Sequence, residues 1–240
     1  MLAKDQVARN LSGKLGKSTK YLYSGQNNVV SDEEYTIISS TASSLNKYPI
    51  YYVDSVGTVD QVRSTVIDFV ERQNLLEDDR GLVVTIDHVL LTKGRQGQAE
   101  KQVVDELAYM CVELKKKLTA MGLKIIIVLL SQLNRDIESS ERVTNPNLHY
   151  PTKNDIFGAS SMFFSSDYVL ITHKPAIIEG IKQTYGPERP GEGFDEGLPV
   201  YNPNKPSQPM IYWHLLKERF GEPKILLMLD DFKNSRVLEY

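Results

Sequence analysis

Apolar residues recur along this chain in two rhythms, one helical and one continuous. Val7, Leu11 and Leu15 fall at every fourth position behind Leu2, which predicts a helix over residues 2–16. Ser24-Gly25-Gln26-Asn27-Asn28 reads as a turn. Ser31-Asp32-Glu33-Glu34 has the spacing of a capping box and opens a second helix through about Leu45. Tyr48–Val53 reads as a strand, and Pro49 places it at a sheet edge. Thr58 caps a helix carrying Val59, Val62, Val66, Phe69 and Val70 on one side. The longest stripe is Val103, Val104, Leu107, Cys111, Leu114 and Leu118, within a helix over Glu100–Met121 that Gly122 stops.

Two continuous apolar runs flank that helix. Gly81–Asp87 reads Gly-Leu-Val-Val-Thr-Ile-Asp, and Lys124–Leu130 leads into Ser131-Gln132. Runs this short between polar stretches predict buried strands. Strand, helix, strand, with a polar residue at each strand's carboxyl tip, predicts an α/β fold with a parallel sheet and a nucleotide-triphosphatase layout. After Gln132 a polar loop, Leu133–Asp155, carries Asn134, Arg135, Arg142 and Lys153; loops of this length in a compact domain are usually functional. Phe157–Phe164 reads as a short helix and Asp167–Thr172 as a strand. Lys174–Pro209, rich in Pro and Gly, reads as an exposed insertion, with Glu179–Tyr185 as an ordered piece. Met210–Leu216 and Lys224–Leu229 read as two strands joined by the tip Lys217–Pro223, with Asp230–Tyr240 a loose final segment.

Composition narrows the function only modestly. The 240 residues are 41% hydrophobic and 25% charged, ordinary for one large globular domain or two small ones. A net charge of −3 gives no bulk attraction to nucleic acid or membrane, so any basic site is local. The single cysteine, Cys111, rules out a disulfide within the chain and fits a cytoplasmic, reducing setting. The start is polar, without the look of a secretory signal, and the longest apolar run, Ile125–Leu130, is far too short to span a bilayer. His88, His149, His173 and His214 have no metal-ligand spacing. Gly16-Lys17-Ser18-Thr19 resembles the end of a phosphate-binding P-loop, but Leu11 stands where its first glycine belongs and no apolar strand precedes it. A helix end followed by a lysine-rich turn is the better reading.

Taken together, Gly81–Asp87, then Ile127–Arg135 with Ser-Gln-Leu-Asn-Arg at its end, then Lys217-Glu-Arg-Phe-Gly221, resemble the DnaB-type replicative helicases in order and separation. The weaker Ser24-Gly25…Asp32-Glu33-Glu34 and Tyr51–Asp54 stretches also fit. The resemblance covers nearly the whole chain and the later part of the family's RecA-like ATPase domain. It implies a RecA-like core, a mostly parallel sheet flanked by helices, incomplete at its amino terminus and ending in a β-hairpin. The domain organisation expected is one partial ATPase domain over 1–240 with 174–209 as an exposed insertion. The family's P-loop and catalytic glutamate fall upstream of Met1 in this register. His88 replaces a frequent Tyr, and Ile-Phe-Gly-Ala-Ser-Ser replaces the Arg-Glu-Ser-Gly pattern, while Asp167 matches the acidic residue that follows.

The resemblance implies ATP and Mg²⁺ as cofactors. Asp87 would hold Mg²⁺ through its water shell, since a hard cation that keeps its waters suits a carboxylate. Gln132 would sense the γ-phosphate. Lys217 and Arg219 would act on the neighbouring subunit's nucleotide, which requires a homo-oligomeric ring, a hexamer. Single-stranded DNA would run through the centre past Lys93 and Arg95 in one loop and Lys153, Phe157, Gly158 and Ala159 in another. Primase or a loader would be further partners, and a separate chain could supply the P-loop. The competing reading is a P-loop-less homologue acting as a non-enzymatic subunit of a helicase ring. A recombinase is disfavoured by Ser-Gln-Leu-Asn-Arg followed by Lys-x-Arg-x-Gly.

Overall fold

The computed structural model describes residues 3–24, 30–55 and 57–240. The Gly25–Asn28 turn lies outside them. Three helices open the chain: α1 (Ala3–Leu15), α2 (Thr19–Tyr23) and α3 (Asp32–Leu45). The expected capping box is formed, with Ser31 accepting from the Glu34 N–H while Glu34 accepts from the Ser31 N–H. Then come α4 (Val59–Arg72), β1 (Leu82–Asp87), α5 (Glu100–Ala120) and β2 (Ile125–Leu130). Thr58 and Gln61 close a second capping box on α4.

β1 and β2 are parallel neighbours, Leu82 opposite Ile125 through Asp87 opposite Leu130. Alternation decides their faces. Leu82, Val84, Ile86, Ile127 and Leu129 pack on a core with Ile125, while Val83, Ile126, Val128 and Leu130 face outward. All six apolar positions read on α5 are buried, with Val104 and Leu107 fully enclosed. Burial pushes the Cys111 thiol up to about 12, so it acts as a small core residue.

After β2, a short α6 (Ser140–Thr144) and α7 (Ala159–Ser165) lead to β3 (Tyr168–His173). The remaining strands are β4 (Thr184–Tyr185), β5 (Leu198–Pro199), β6 (Tyr201–Asn202), β7 (Lys205–Glu218), β8 (Lys224–Asp231) and β9 (Arg236–Glu239). β3, β7, β8 and β9 form an antiparallel run, with β6 also on β7.

The α/β class and the terminal hairpin are as expected, but four readings need correction. Parallel pairing among the described strands is confined to β1 and β2, because β3 takes its ladder from the long β7 instead. Tyr48–Val53 is exposed and joins no ladder; its one firm anchor is Tyr51, edge-on to Phe69 at 4.8 Å. Lys174–Pro209 is not an exposed insertion. Ile178, Ile181, Tyr185, Leu198 and Val200 build a second core with Met210 and Tyr212. Glycines make that packing possible: Gly186 has φ +81°, and a Cβ there would fall 2.0 Å from the Tyr150 ring. The final segment is also ordered, closing on β8 as β9. No helix of the described residues is long and apolar enough to cross a membrane.

Three of the histidines hold this second core together. His149 accepts from the Gly186 N–H at Nδ1 (3.0 Å), which leaves Nε2 to donate to the Val143 carbonyl (3.0 Å). The Tyr185 hydroxyl lies 2.5 Å from His173 Nδ1 and 2.8 Å from His214 Nε2. Burial lowers His173 to about 4, helped by Arg142 and His149 and opposed by Asp155. Burial likewise lowers His214 to about 3, helped by His173 and Arg189. Both are neutral when folded, whereas unfolded imidazoles gain protons below about 6.5. Stability is therefore complete above that pH and declines as pH falls from about 6.5 towards 4, by at most roughly 1.4 kcal/mol per pH unit for each histidine. Urea midpoints at pH 7 and pH 5, above the main carboxylate range, should fall in the wild type and fall less in His214→Gln. An equal drop in both would remove His214 from the effect.

Candidate functional site

The parallel register brings the tips of β1 and β2 to one end of the sheet. Asp87 closes β1 opposite Leu130, and Gln132 follows two residues later. Both side chains are exposed. Around them sit buried polar atoms without a partner: His88 Nδ1, Ser131 Oγ and Asn134 Oδ1. Such atoms cost free energy unless something meets them, and all three lie within two residues of Asp87 or Gln132 along the chain. A cleft of about 600 Å³ lies elsewhere, at the amino ends of the same strands by Gly81, Val83, Gly122 and Ile126.

Gln132 is tied directly to the loop that follows. The Phe157 N–H donates to the Gln132 carbonyl (3.1 Å), Leu133 bridges Ile156, and the Asn134 N–H donates to the Asp155 carbonyl (2.7 Å). Asp155 is the hub, its side chain only 4% exposed. Its carboxylate accepts from the Thr152 N–H (2.6 Å) and hydroxyl (3.1 Å) and pairs with Arg142. Arg142 also donates to the Leu148 (2.9 Å) and Tyr150 (2.8 Å) carbonyls. The polar loop is thus a braced structure, and the Arg142–Asp155 pairing within it is what sequence reasoning missed. No periodicity announces a pair 13 residues apart.

The two loops named as nucleic-acid contacts meet the same turn of α5. A Cβ on Gly94 would fall 2.7 Å from Val103, and one on Gly158 would fall 2.6 Å from Val104. Gly158 also has φ +70°, so its glycine is required by the fold itself. Lys93 is exposed, its N–H bonded to the Gly57 carbonyl (3.0 Å). Arg95 is paired with Asp60 and Glu106, both at 3.3 Å. Lys153 is exposed beside the Phe164 ring. Phe157 is half-buried against the core, and Ala159 begins α7.

The hairpin residues are held within their own chain. Lys217 Nζ donates to the Phe163 (2.8 Å) and Phe164 (3.1 Å) carbonyls at the end of α7. Arg219, 62% exposed, pairs with Asp167 at 2.5 Å. Lys115 of α5 also pairs with Asp167 at 2.5 Å. Hydrogen bonds from Lys115 and then Arg219 hold the Asp167 carboxyl below its usual range despite partial burial. Gly16–Thr19 is no phosphate loop: Gly16 ends the turn after α1 at φ +64°, and Ser18 caps α2.

The donor set suits Mg²⁺ with ATP. No group of three His, Cys, Asp or Glu among the described residues could hold a metal by itself. Mg²⁺ commonly takes one carboxylate, waters and substrate phosphates instead, which one exposed Asp87 beside unpartnered polar atoms satisfies.

The fold is that of a helicase ATPase domain. Over the whole chain it superposes with TM-score 0.71 on a solved "ATPase Domain", at 14% identity and covering 72% of that chain. It superposes equally, at 12% identity and 50% of the other chain, on "The Structure Of A DnaB-Like Replicative Helicase And Its Interactions With Primase". The chain belongs to the DnaB-like helicase C-terminal domain family, whose model matches residues 1–196. No curated protein sequence matches it significantly.

The braced loop has a measurable consequence. Arg142→Met strands the buried Asp155 charge and should cost about 3–5 kcal/mol of unfolding free energy. Arg95→Met removes an exposed pair and should cost less than about 1 kcal/mol. Equal losses in urea titrations would show that Asp155 does not depend on Arg142.

Proposed function

We propose that this chain forms the Asp87–Gln132 half of an ATP-dependent replicative DNA helicase motor that translocates on single-stranded DNA and unwinds duplex. The observation that carries the reading is the Phe157 N–H bond to the Gln132 carbonyl, because it joins the strand tip beside Asp87 to a loop suited to nucleic acid. Bound Mg²⁺ would supply neutralisation of phosphate charge. Asp87 would hold it through water, and the Gln132 amide would hydrogen-bond the terminal phosphate. A change at Gln132 would then pull on Phe157 and Gly158, whose backbone, with Lys153, would grip the DNA phosphates; Lys93 and Arg95 would act from the neighbouring loop.

Lys217 and Arg219 would serve a neighbouring protomer's nucleotide in a homo-oligomeric ring, a hexamer, and an arginine delivered in trans stabilises charge in phosphoryl transfer. For that, Arg219 must leave Asp167 and Lys217 must leave the α7 carbonyls. Primase or a loader is proposed as partner from the likeness to a helicase described with primase. The chain spans half of that helicase. The second reading, a non-enzymatic subunit of a helicase ring, is favoured by one observation: both hairpin cations are satisfied within the chain.

Turnover separates the readings. The purified chain alone should hydrolyse no ATP, and turnover abolished by Asp87→Asn would overturn that. Joined to a P-loop segment it should become a DNA-stimulated ATPase, and Arg219→Ala should lower kcat by about 10³-fold or more. An unchanged rate would remove Arg219 from the mechanism, and no rate at all would favour the non-enzymatic subunit.

A further inference from the structure

The second core is built partly from the loop that follows Gln132. Val143 and Tyr150 pack against its buried residues, although both belong to the stretch between β2 and α7. Glycines on the facing segment let them in. A Cβ on Gly180 would fall 2.4 Å from Val143, and one on Gly186 would fall 2.0 Å from the Tyr150 ring. Both glycines stand at positive φ, +104° and +81°, so neither position takes another residue without strain. The Tyr150 ring is held from two further sides, its centroid 5.1 Å from Tyr185 and 5.2 Å from His214. Its hydroxyl has no hydrogen-bond partner, so the seat selects the volume of the ring and not its polarity. His149 beside it stacks on Tyr185 at 5.9 Å and accepts from the Gly186 N–H.

From this seat a run of contacts leads back to the strand tip. Arg142 donates to the Tyr150 carbonyl (2.8 Å) while pairing with Asp155. The Asp155 carbonyl accepts from the Asn134 N–H (2.7 Å), and the Asn134 side-chain amide donates to the Asn154 carbonyl (2.8 Å). The Phe157 N–H then closes on the Gln132 carbonyl (3.1 Å). Close-packed interiors do not deform smoothly, so a displaced ring at Gly186 is passed along this run and not absorbed at its start. We infer that the second core positions the Gln132–Phe157 contact, with Tyr150 as the positioning residue and Gly186 as its seat. Tyr150 acts through the Arg142–Asp155 pair. The consequence for DNA rests on the helicase reading, which takes Phe157 and Gly158 as the grip, whereas the positioning itself rests on the packing. Contiguity alone does not establish energetic coupling, and amide exchange measures it.

Deuterium exchange in the full chain reads the contact directly. The Asn134 and Phe157 amides report the loop. The Met210 amide, bonded to the Val200 carbonyl (2.9 Å), reports the second core, and the Leu107 amide within α5 reports the first. In Tyr150→Ala the two loop amides should exchange about 10-fold faster, with Met210 and Leu107 unchanged. Tyr150→Phe keeps the ring and should leave all four as in the wild type, while Tyr150→Leu should fall between. Unchanged loop amides in Tyr150→Ala would overturn the inference. A rise at all four amides in both the Ala and Leu variants would do so too, since Tyr150 would then hold the fold as a whole. Oligothymidylate binding, followed by fluorescence anisotropy, separates the positioning from the helicase reading. The affinity should fall about 10-fold in Tyr150→Ala and hold in Tyr150→Phe. Faster loop amides with unchanged or absent binding would uphold the positioning and remove the loop from DNA binding. Weaker binding with unchanged loop amides would overturn the positioning and leave the helicase reading standing.

Discussion

The register between β1 and β2 is the constraint from which the candidate site follows. Side chains alternate along a strand, so slipping one strand by a single residue would exchange its inner and outer faces. Leu82, Val84 and Ile86 are kept inward by the α5 residues Val104 and Leu107, which are fully enclosed. That burial fixes which way Asp87 points, because it shares the outward face with Val83 and Thr85. It also fixes its height, opposite Leu130. Gln132 inherits its place from the same ladder two residues on. The chemistry at the tip is thus positioned by aliphatic packing behind it, at the opposite face of the sheet.

What the sequence disclosed and what it hid divide along the range of the interactions involved. The helix α5 and the strands β1 and β2 were legible because each carries its own apolar rhythm, and a strand ending in Asp or Gln announces its tip. Tyr48–Val53 has a strand's composition, but composition does not supply an edge to pair with. Lys174–Pro209 looked exposed because its core residues, Ile178, Tyr185 and Leu198, stand far apart among glycines and prolines that make the turns between them. Arg142 and Asp155 were hidden for a related reason. Their pairing depends on the path of the loop from Thr152 back to Asn134, and a loop path leaves no period in the sequence. The pairing of Lys115 leaves no local signal either, because its partner, Asp167, arrives from β3's entrance 52 residues away.

The second core gives the hairpin a firm base. β7 is long enough to contribute Met210 and Tyr212 to the Tyr–His cluster and still reach α7 with Lys217. Lys174 and Asp230 form a largely buried pair that ties the end of β3 to β8. The tip beyond Glu218 therefore extends from a braced ribbon, and Phe220 there stands almost wholly exposed.

That division of rigidity bears on how the hairpin cations could change partner. The Arg219–Asp167 pair lies in solvent, and exposed ion pairs contribute about 0–1 kcal/mol, less in salt. Losing Arg219 would not leave Asp167 bare, because Lys115 remains against it. Lys217 is held more firmly, by two carbonyls at the end of α7 where the helix dipole favours a cation, and with its ammonium beside the Phe163 ring. The two residues are therefore unequal. Arg219 can be drawn away by any stronger anion near the tip at little cost to its own chain, while Lys217 serves first as the pin that fixes the base of the hairpin to α7. Since α7 is entered through Gly158, the residue after Phe157, one short helix links the bond to the Gln132 carbonyl at its start to the Lys217 ammonium at its end.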